Sequence, residues 1–409
     1  MKRLLTKARH RDFQRLWWAQ LISQVGDRIH QFALIALAAE KAPHNTSFSL
    51  AKLLACTIVP VFVVQPFAGV FVDRWDRKTT LLVCDFARAG LVMLIPLGLM
   101  DKASLVPVYG VVFLIFCFSR FYLPARLSII PNVVEDRHLF AANSLVSSTG
   151  MVAFIIGGVA GGFLVDHWGA RQGFWLDALT FLISGILLGR LTLRRACLKR
   201  EEGGPRSVSV WREIGAGMRY VWRHPEIRMV NQLLFILLAA AGSVYVVIIV
   251  FIQGAFGSVT KDLGVLAVVL GLGLLTGALA YGRWGRRESW KTVTLTCLAA
   301  GGGMLVIFAL GVARWPSLWL AGGLAFLWGA VLGPIFIAAN AVTHLVSEEA
   351  MRGKVFSAME IVIHLAFLSA MLLSSWLAGI FEPVWILIVA GVGIMCAAAW
   401  AWPRMAGKA

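Results

Sequence analysis

Charged residues are scarce in this sequence. Asp, Glu, Lys and Arg make up 14% of its 409 positions and hydrophobic residues 59%, whereas an ordinary globular chain is about 25% charged. With a mean hydropathy of +0.78 there is too little polar surface to cover an aqueous fold, which excludes a soluble enzyme. Acids are scarcer still, 21 against 38 Lys and Arg for a net charge of +17, so any carboxylate inside an apolar stretch stands out. Cysteine is limited to six. Cys56, Cys84, Cys117, Cys297 and Cys396 fall in apolar stretches and Cys197 in a polar one, and no C-x-x-C occurs. That leaves neither a thiolate metal site of the usual spacing nor an external pair for a disulfide. The phosphate-cradling pattern G-x-x-x-x-G-K-[ST] is also missing, and no cofactor is implied.

What is present is a series of apolar stretches of the length that crosses a bilayer. Twelve can be drawn, at 13–39, 50–71, 79–100, 104–123, 140–165, 173–193, 228–252, 263–284, 290–311, 317–342, 353–380 and 383–402. The expected fold is therefore an all-α polytopic membrane protein of twelve transmembrane helices. The first stretch contains Gln20, Gln24, Asp27 and Arg28, which a cleaved signal segment would not tolerate, so it reads as a permanent span. Thirty of the 38 Lys and Arg fall at the two termini, in the loops after even-numbered spans or in the span ends beside them. Six, Lys41, Lys52, Lys102, Arg171, Lys261 and Arg314, fall on the other side, and Arg28 and Arg88 lie within spans. By the positive-inside rule both termini face the cytoplasm, as in a bacterial inner or plasma membrane. The basicity then reports topology and an affinity for anionic membrane lipid, and nucleic acid is not an expected partner.

Hydrophobicity breaks most deeply at 194–227, dividing the chain into a six-span bundle at 1–193 and another at 228–409. Within the break, Val210, Trp211, Ile214, Met218, Val221 and Trp222 recur at helical spacing opposite Arg212, Glu213, Arg219 and Arg223. This predicts an amphipathic helix, lying on the membrane surface or on the protein's own cytoplasmic face. The halves echo each other: Gly69-x-x-x-Asp73-Arg74-Trp75-Asp76-Arg77-Lys78 follows span 2, and Gly277-x-x-x-Tyr281-Gly282-Arg283-Trp284-Gly285-Arg286-Arg287 follows span 8. Such internal repeats are typical of transporters.

The Gly69 to Lys78 run resembles the loop 2–3 signature of the major facilitator superfamily, G-x-x-x-D-R-x-x-R-K, and the 6+6 plan agrees with it. Gly217-Met218-Arg219-Tyr220 through Arg223-His224-Pro225-Glu226, with Pro124-Ala125-Arg126 and Ala142-Asn143-Ser144-Leu145, is similar to bacterial exporters of the enterobactin and macrolide type. Gly26-Asp27-Arg28 looks like the span 1 signature of ferroportins and, less closely, of lysophospholipid transporters. In span 5, Gly157-Gly158-Val159-Ala160-Gly161-Gly162 is similar to the antiporter signature G-P-x-x-G-G, with Gly158 in place of the proline. These glycines read either as a close-packing seam or as a hinge for exchange. The resemblance implies that Gly69, Asp73, Arg74, Arg77 and Lys78 form a latch on the inner gate, with Asp73 facing the start of span 11 near Gly353.

Charges inside a bilayer cost at least about 2.5 to 3.5 kcal/mol each on insertion scales, so the chemistry is expected among them. Asp85 and Arg88, three apart in span 3, read as a mutually neutralised pair. Asp177 sits near the outer end of span 6. In span 1, Gln20, Gln24, Asp27 and Gln31 form one polar stripe, widened by Ser23, Arg28 and His30, and it must face a wet cavity or polar partners. Glu360 and His364 share a face of span 11, a spacing compatible with proton exchange or, together with Asp27, with a divalent metal. Tyr245, with Gly242 and Ser243, reads as an interruption of span 7. Asn231, Gln232, Asn340 and His344 read as interfacial or interhelical groups.

The expected function is secondary transport by alternating access: efflux of a small amphipathic organic compound, drug or siderophore-like, by a monomer with protons as counter-ion and Asp27 as carrier. A lysophospholipid flippase handling a lipid-like substrate and a ferroportin-like divalent metal exporter are the alternatives, and a non-transporting membrane sensor ranks last.

Overall fold

The computed structural model describes residues 2–102, 104–134, 139–192, 210–258, 260–284, 290–346 and 352–406. Among them are fourteen α-helices and no strand. In the first half these are α1 (Lys2–Lys41), α2 (Thr46–Val63), α3 (Gln65–Arg74), α4 (Arg77–Leu94), α5 (Val106–Val133), α6 (Leu139–Trp168) and α7 (Ala170–Gly189). After them come α8 (Val210–Arg223), α9 (Pro225–Phe256), α10 (Lys261–Trp284), α11 (Trp290–Arg314), α12 (Leu318–Val346), α13 (Arg352–Leu377) and α14 (Pro383–Ala406). With α2 and α3 as one crossing bent at Val64, and α8 as the linker helix, the expected twelve crossings are all present.

Ten of the helices are long and apolar enough on their own to cross a membrane. Of the other two crossings, α13 contributes the apolar run Ile361–Leu377, and α1 carries Gln20, Gln24, Asp27, Arg28, His30 and Gln31. The apolar content of α1 alone does not justify insertion, so the neighbouring helices must compensate for its polar residues.

Local signals place the helix ends. The Asp76 carboxylate caps α4, accepting from the Thr79 backbone N–H at 2.8 Å and from its hydroxyl at 2.7 Å, as N-caps do. Proline stands in the first turn of α3, α5, α9 and α14, where no helical N–H is lost. Gly257 closes α9 with φ +71°, its N–H bonded to the Gln253 carbonyl at 2.9 Å, a left-handed cap that favours glycine.

Three expectations need correction. Span 4 does not end at 123, because α5 runs through Pro124 to Val133, so Arg126 is an intrahelical residue and not a loop residue. Proline is tolerated inside membrane helices because neighbouring groups satisfy the freed backbone. Span 7 is not interrupted at Gly242, since α9 is one continuous helix. There a Cβ would come within 2.2 Å of the Phe367 carbonyl of α13, so the glycine allows close packing. Helix α1 also begins eleven residues before the first apolar stretch.

The chain forms two compact units, Met1–Pro43 with Leu53–Val208, and His44–Lys52 with Ser209–Ala409. In the first, Leu16 of α1, Leu81 of α4, Tyr122, Ala125 and Ile129 of α5 and Leu188 of α7 belong to one buried cluster, to which α3 and α6 also contribute. In the second, α10 and α12 approach through reciprocal glycines. A Cβ on Gly273 or Gly277 would lie 2.1 or 2.0 Å from the Phe326 or Ala330 carbonyl oxygen, and on Gly329 or Gly333 2.2 or 2.4 Å from those of Leu270 and Leu274. In lipid, such small-residue seams supply the association that hydrophobicity supplies in water. Gly277→Leu is therefore expected to lower the thermal midpoint of the detergent-solubilised protein by several degrees, whereas Gly282→Leu, on an open face, should leave it unchanged.

Candidate functional site

In the first unit, α1, α4, α5 and α7 bring together the ionisable groups that the bilayer makes costly. Asp85 is fully buried and Arg88 nearly so. The Arg88 Nη2 donates to Asp85 Oδ1, and the Ser184 hydroxyl of α7 donates to Asp85 Oδ2 at 2.5 Å. The guanidinium lies between the rings of Tyr122 (4.5 Å) and Phe181 (4.3 Å), and its Nε donates to the Cys84 carbonyl at 3.3 Å. One ion pair of span 3 thus links spans 3, 4 and 6.

A second polar junction joins α1 to α7. His30 Nδ1 lies 2.9 Å from Asp177 Oδ2, both side chains buried, and the imidazole stands edge-on to Phe174 at 5.2 Å. The approach depends on Gly26, where a Cβ would sit 1.9 Å from Thr180 Oγ1 and 2.7 Å from Asp177 Oδ1. Asp27 follows directly. It is half-buried and within electrostatic reach of Arg88, Asp177, Arg28 and His30, while Arg126 of α5 is within reach of Asp27, Arg88 and Tyr122. Three carboxylates therefore share this volume with Arg28, Arg88 and Arg126, and His30 is a fourth base.

The rest of the span 1 stripe meets α6. The buried Gln20 amide donates to the Val146 carbonyl at 3.0 Å, and Trp17 Nε1 donates to Thr149 Oγ1 at 2.8 Å. Arg28 donates to Gln31 Oε1 at 3.2 Å and sits over Phe154 at 5.4 Å. Gln24 is half-buried, its Oε1 3.5 Å from where a Cβ on Gly150 would stand. The stripe thus has polar partners on α6 and α7 along much of its length. The span 5 glycines lie on the same contact: a Cβ on Gly157 would stand 2.6 Å from Arg28 Cβ, and one on Gly161 3.1 Å from Ile29 Cα. Gly158 and Gly162 are buried beside them.

At the end of the unit bearing the loop 2–3 signature, two of its residues hold helix carbonyls. Arg77 Nη1 donates to the Ser128 carbonyl at 2.7 Å. Lys78 Nζ donates to the carbonyls of Gly189 and Leu191, both at 2.8 Å, a cation at the C-terminus of α7 where the helix dipole favours it. Gly69, Asp73 and Arg74 lie in α3, but the surroundings of Gly69 and the side chains of Asp73 and Arg74 are outside the described part of the structure.

The second unit carries Tyr245, whose ring is 5.7 Å from Phe367, and the half-buried His364 on α13. The side chains of Glu360, Asn340 and His344 lie outside the described part. Helix α8 is present as expected and packs on α13 and α9.

The sequence profile described as Major Facilitator Superfamily matches residues 16–313. The chain belongs to that superfamily. Among its relatives, the uncharacterized MFS-type transporter YfiS of Bacillus subtilis is 26% identical over 374 residues, covering 88% of this chain and 86% of YfiS. Macrolide efflux protein A of Streptococcus pyogenes is 25% identical over 289 residues, 68% of this chain and 67% of that protein. A bacterial homologue of the iron transporter ferroportin in an inward-facing state superposes with a TM-score of 0.71 at 13% identity, covering 95% of this chain and 99% of that one, which shows the fold alone. As a major facilitator chain it is a multi-pass membrane transporter with efflux proteins among its relatives.

Six members of the network are not site residues in the sequence reading: Asp85 and Arg88, taken there as a neutralised pair, and His30, Asp177, Arg126 and Tyr122. His30 and Asp177 were visible as intramembrane polar groups on different spans, and their pairing requires the packing of α1 on α7. Arg126 lies beyond 123, where the apolar stretch of span 4 stops, and so falls among the loop residues in the sequence.

Proposed function

We propose that this major facilitator chain exports a small amphipathic organic compound in exchange for protons by alternating access, with Asp27 as the proton-bearing group. The balanced charge network around Asp27 carries the reading. Three carboxylates match three guanidinium groups in number, with Asp85 and Arg88 paired directly, so one proton added at Asp27 raises the net charge of the network by one and alters which partners Arg88 and Arg28 favour. A group that binds a proton and redistributes ion pairs between helices is what coupling requires. Relatives that include a macrolide efflux protein support an amphipathic cargo. The chain acts as a monomer in the plasma membrane with both termini in the cytoplasm, and Tyr245, Glu360 and His364 contribute cargo contacts from the second unit.

The experiment is uptake of a labelled macrolide into inside-out vesicles with an acidic lumen. Accumulation above empty-vector vesicles, collapsed by a protonophore, is the expected result. Flux of lysophospholipid without a gradient, or of a divalent cation, would replace this reading by the corresponding alternative. Orientation is tested by labelling Lys102→Cys and Arg314→Cys from the external side.

Gating belongs to the loop 2–3 residues Gly69, Asp73, Arg74, Arg77 and Lys78 and to the glycine seam of Gly157, Gly158, Gly161 and Gly162. Asp73 acts as the latch against the start of span 11, where a helix N-terminus attracts an anion. Asp73→Asn is expected to slow turnover and to raise cytoplasmic accessibility of single cysteines. Unchanged values of both would remove the latch.

A further inference from the structure

Helices α1 and α7 enclose a groove of about 520 Å³ that the transport mechanism does not use, lined among others by Arg11, Arg15, Trp18, Ile22, Ile183 and Leu187. Its chemistry is graded: two guanidinium groups and the Gln14 amide lie toward the N-terminal end of α1, a half-exposed indole comes next, and the remaining walls, Ile22, Ile183 and Leu187, are aliphatic.

The groove faces away from the polar network. At 3.6 residues per turn, Trp18 and Ile22 lie about 200° around α1 from Gln20 and Gln24, the stripe that meets α6. The exposed face of α7 beside it is apolar from Trp175 to Ile186, with Trp175, Leu179, Ile183 and Ile186 outward. In a membrane transporter, an exposed apolar helix face abuts lipid. The guanidinium end is also rich in cation. Arg11 is exposed, and Arg15 donates at 3.1 Å to Asp12 and at 2.5 Å to the Arg190 carbonyl. The neighbouring acid, Asp12, divides its carboxylate between Arg15 and Thr192, accepting from the Thr192 N–H at 3.1 Å and its hydroxyl at 2.6 Å, which leaves Arg11 without an acid among these contacts. Arginine is the residue suited to phosphate.

We propose that this groove is a binding site for one anionic phospholipid of the cytoplasmic leaflet, with its phosphate on Arg11 and Arg15 and an acyl chain along Trp18, Ile22, Ile183 and Leu187. The leaflet rests on the orientation proposed above, and the site itself does not. A bound lipid bridges spans 1 and 6 from the outside, the same pair that His30 and Asp177 join from within.

The test is native mass spectrometry of the full chain in detergent, titrated with phosphatidylglycerol or phosphatidylcholine. The first phosphatidylglycerol adduct should survive collision energies that strip phosphatidylcholine. Arg11→Glu should lower its occupancy at least fivefold. So should Ile183→Trp, which fills the apolar floor and keeps both arginines. Arg171→Gln, at the other end of α7, should not change it, nor should millimolar inorganic phosphate compete. Equal retention of the two lipids, undiminished adduct in Arg11→Glu or in Ile183→Trp, or displacement by free phosphate would each overturn the site. External labelling that places Lys102→Cys on the cytoplasmic side would overturn the leaflet and keep the site.

Discussion

Asp27→Asn is expected to abolish accumulation of cargo driven by a pH gradient while leaving exchange of cargo for cargo intact. In one-for-one exchange, a gradient of one pH unit stores about 1.4 kcal/mol and sustains about a tenfold cargo gradient. An asparagine carries no titrating proton, so the sustained ratio falls to one. Asparagine keeps the size of the carboxyl and mimics its protonated form, which preserves the close packing beside Gly26. The variant should therefore fold, insert and bind cargo. Asp27→Glu, which retains the acid on a longer stem, should recover part of the coupling. Both fluxes measured in the same proteoliposomes decide the matter, with exchange as the internal control for folding. Full gradient-driven transport by Asp27→Asn would take Asp27 out of the mechanism and move attention to Glu360 with His364.

Much of this site was open to sequence reading because the bilayer penalises polarity. Asp27 stood out as an acid on a polar stripe in an apolar span, and Asp85 with Arg88 as an i, i+3 pair, which the structure joins by a hydrogen bond. The crossings were legible for the same reason, since twenty-residue apolar runs have few alternatives. Tertiary pairing was not legible. His30 and Asp177 are 147 positions apart in the sequence, and nothing local to either indicates the other. Their contact follows from Gly26, whose missing side chain permits the approach of α1 to α7. The apolar run of span 4 stops at 123, whereas α5 continues through Pro124 and Arg126 to Val133, because hydrophobicity marks the bilayer crossing and not the end of the helix. The glycines of span 5 could be read as seam or hinge, and their placement against Arg28 and Ile29 gives Gly157 and Gly161 a packing contact whichever movement they also permit.

The largest loss of stability is expected at Arg88, and it separates the structural role of the network from its functional one. Arg88→Met leaves Asp85 fully buried with the Ser184 hydroxyl as its remaining hydrogen-bond partner, and breaking a buried pair from one side costs about 3 to 5 kcal/mol. Asp85→Leu leaves a buried guanidinium between Tyr122 and Phe181, whose faces still attract a cation, so its cost should be smaller. Removing both charges together, Asp85→Leu with Arg88→Met, replaces the pair by apolar volume, and such replacements are often neutral or stabilising. Thermal unfolding of the four proteins in one detergent completes a double-mutant cycle whose coupling term should exceed the exposed-pair range of up to about 1 kcal/mol. If Arg88→Met melted like the wild type, the pair would not be holding spans 3, 4 and 6 together. Transport by the double variant then adds a second reading. Arg88 is also an electrostatic neighbour of Asp27, so a stable double variant should still move cargo down its gradient but with the pH dependence of coupling displaced. A double variant with both stability and pH profile unchanged would confine Arg88 to neutralising Asp85, and Arg28 and His30 would then be the groups that set the behaviour of Asp27.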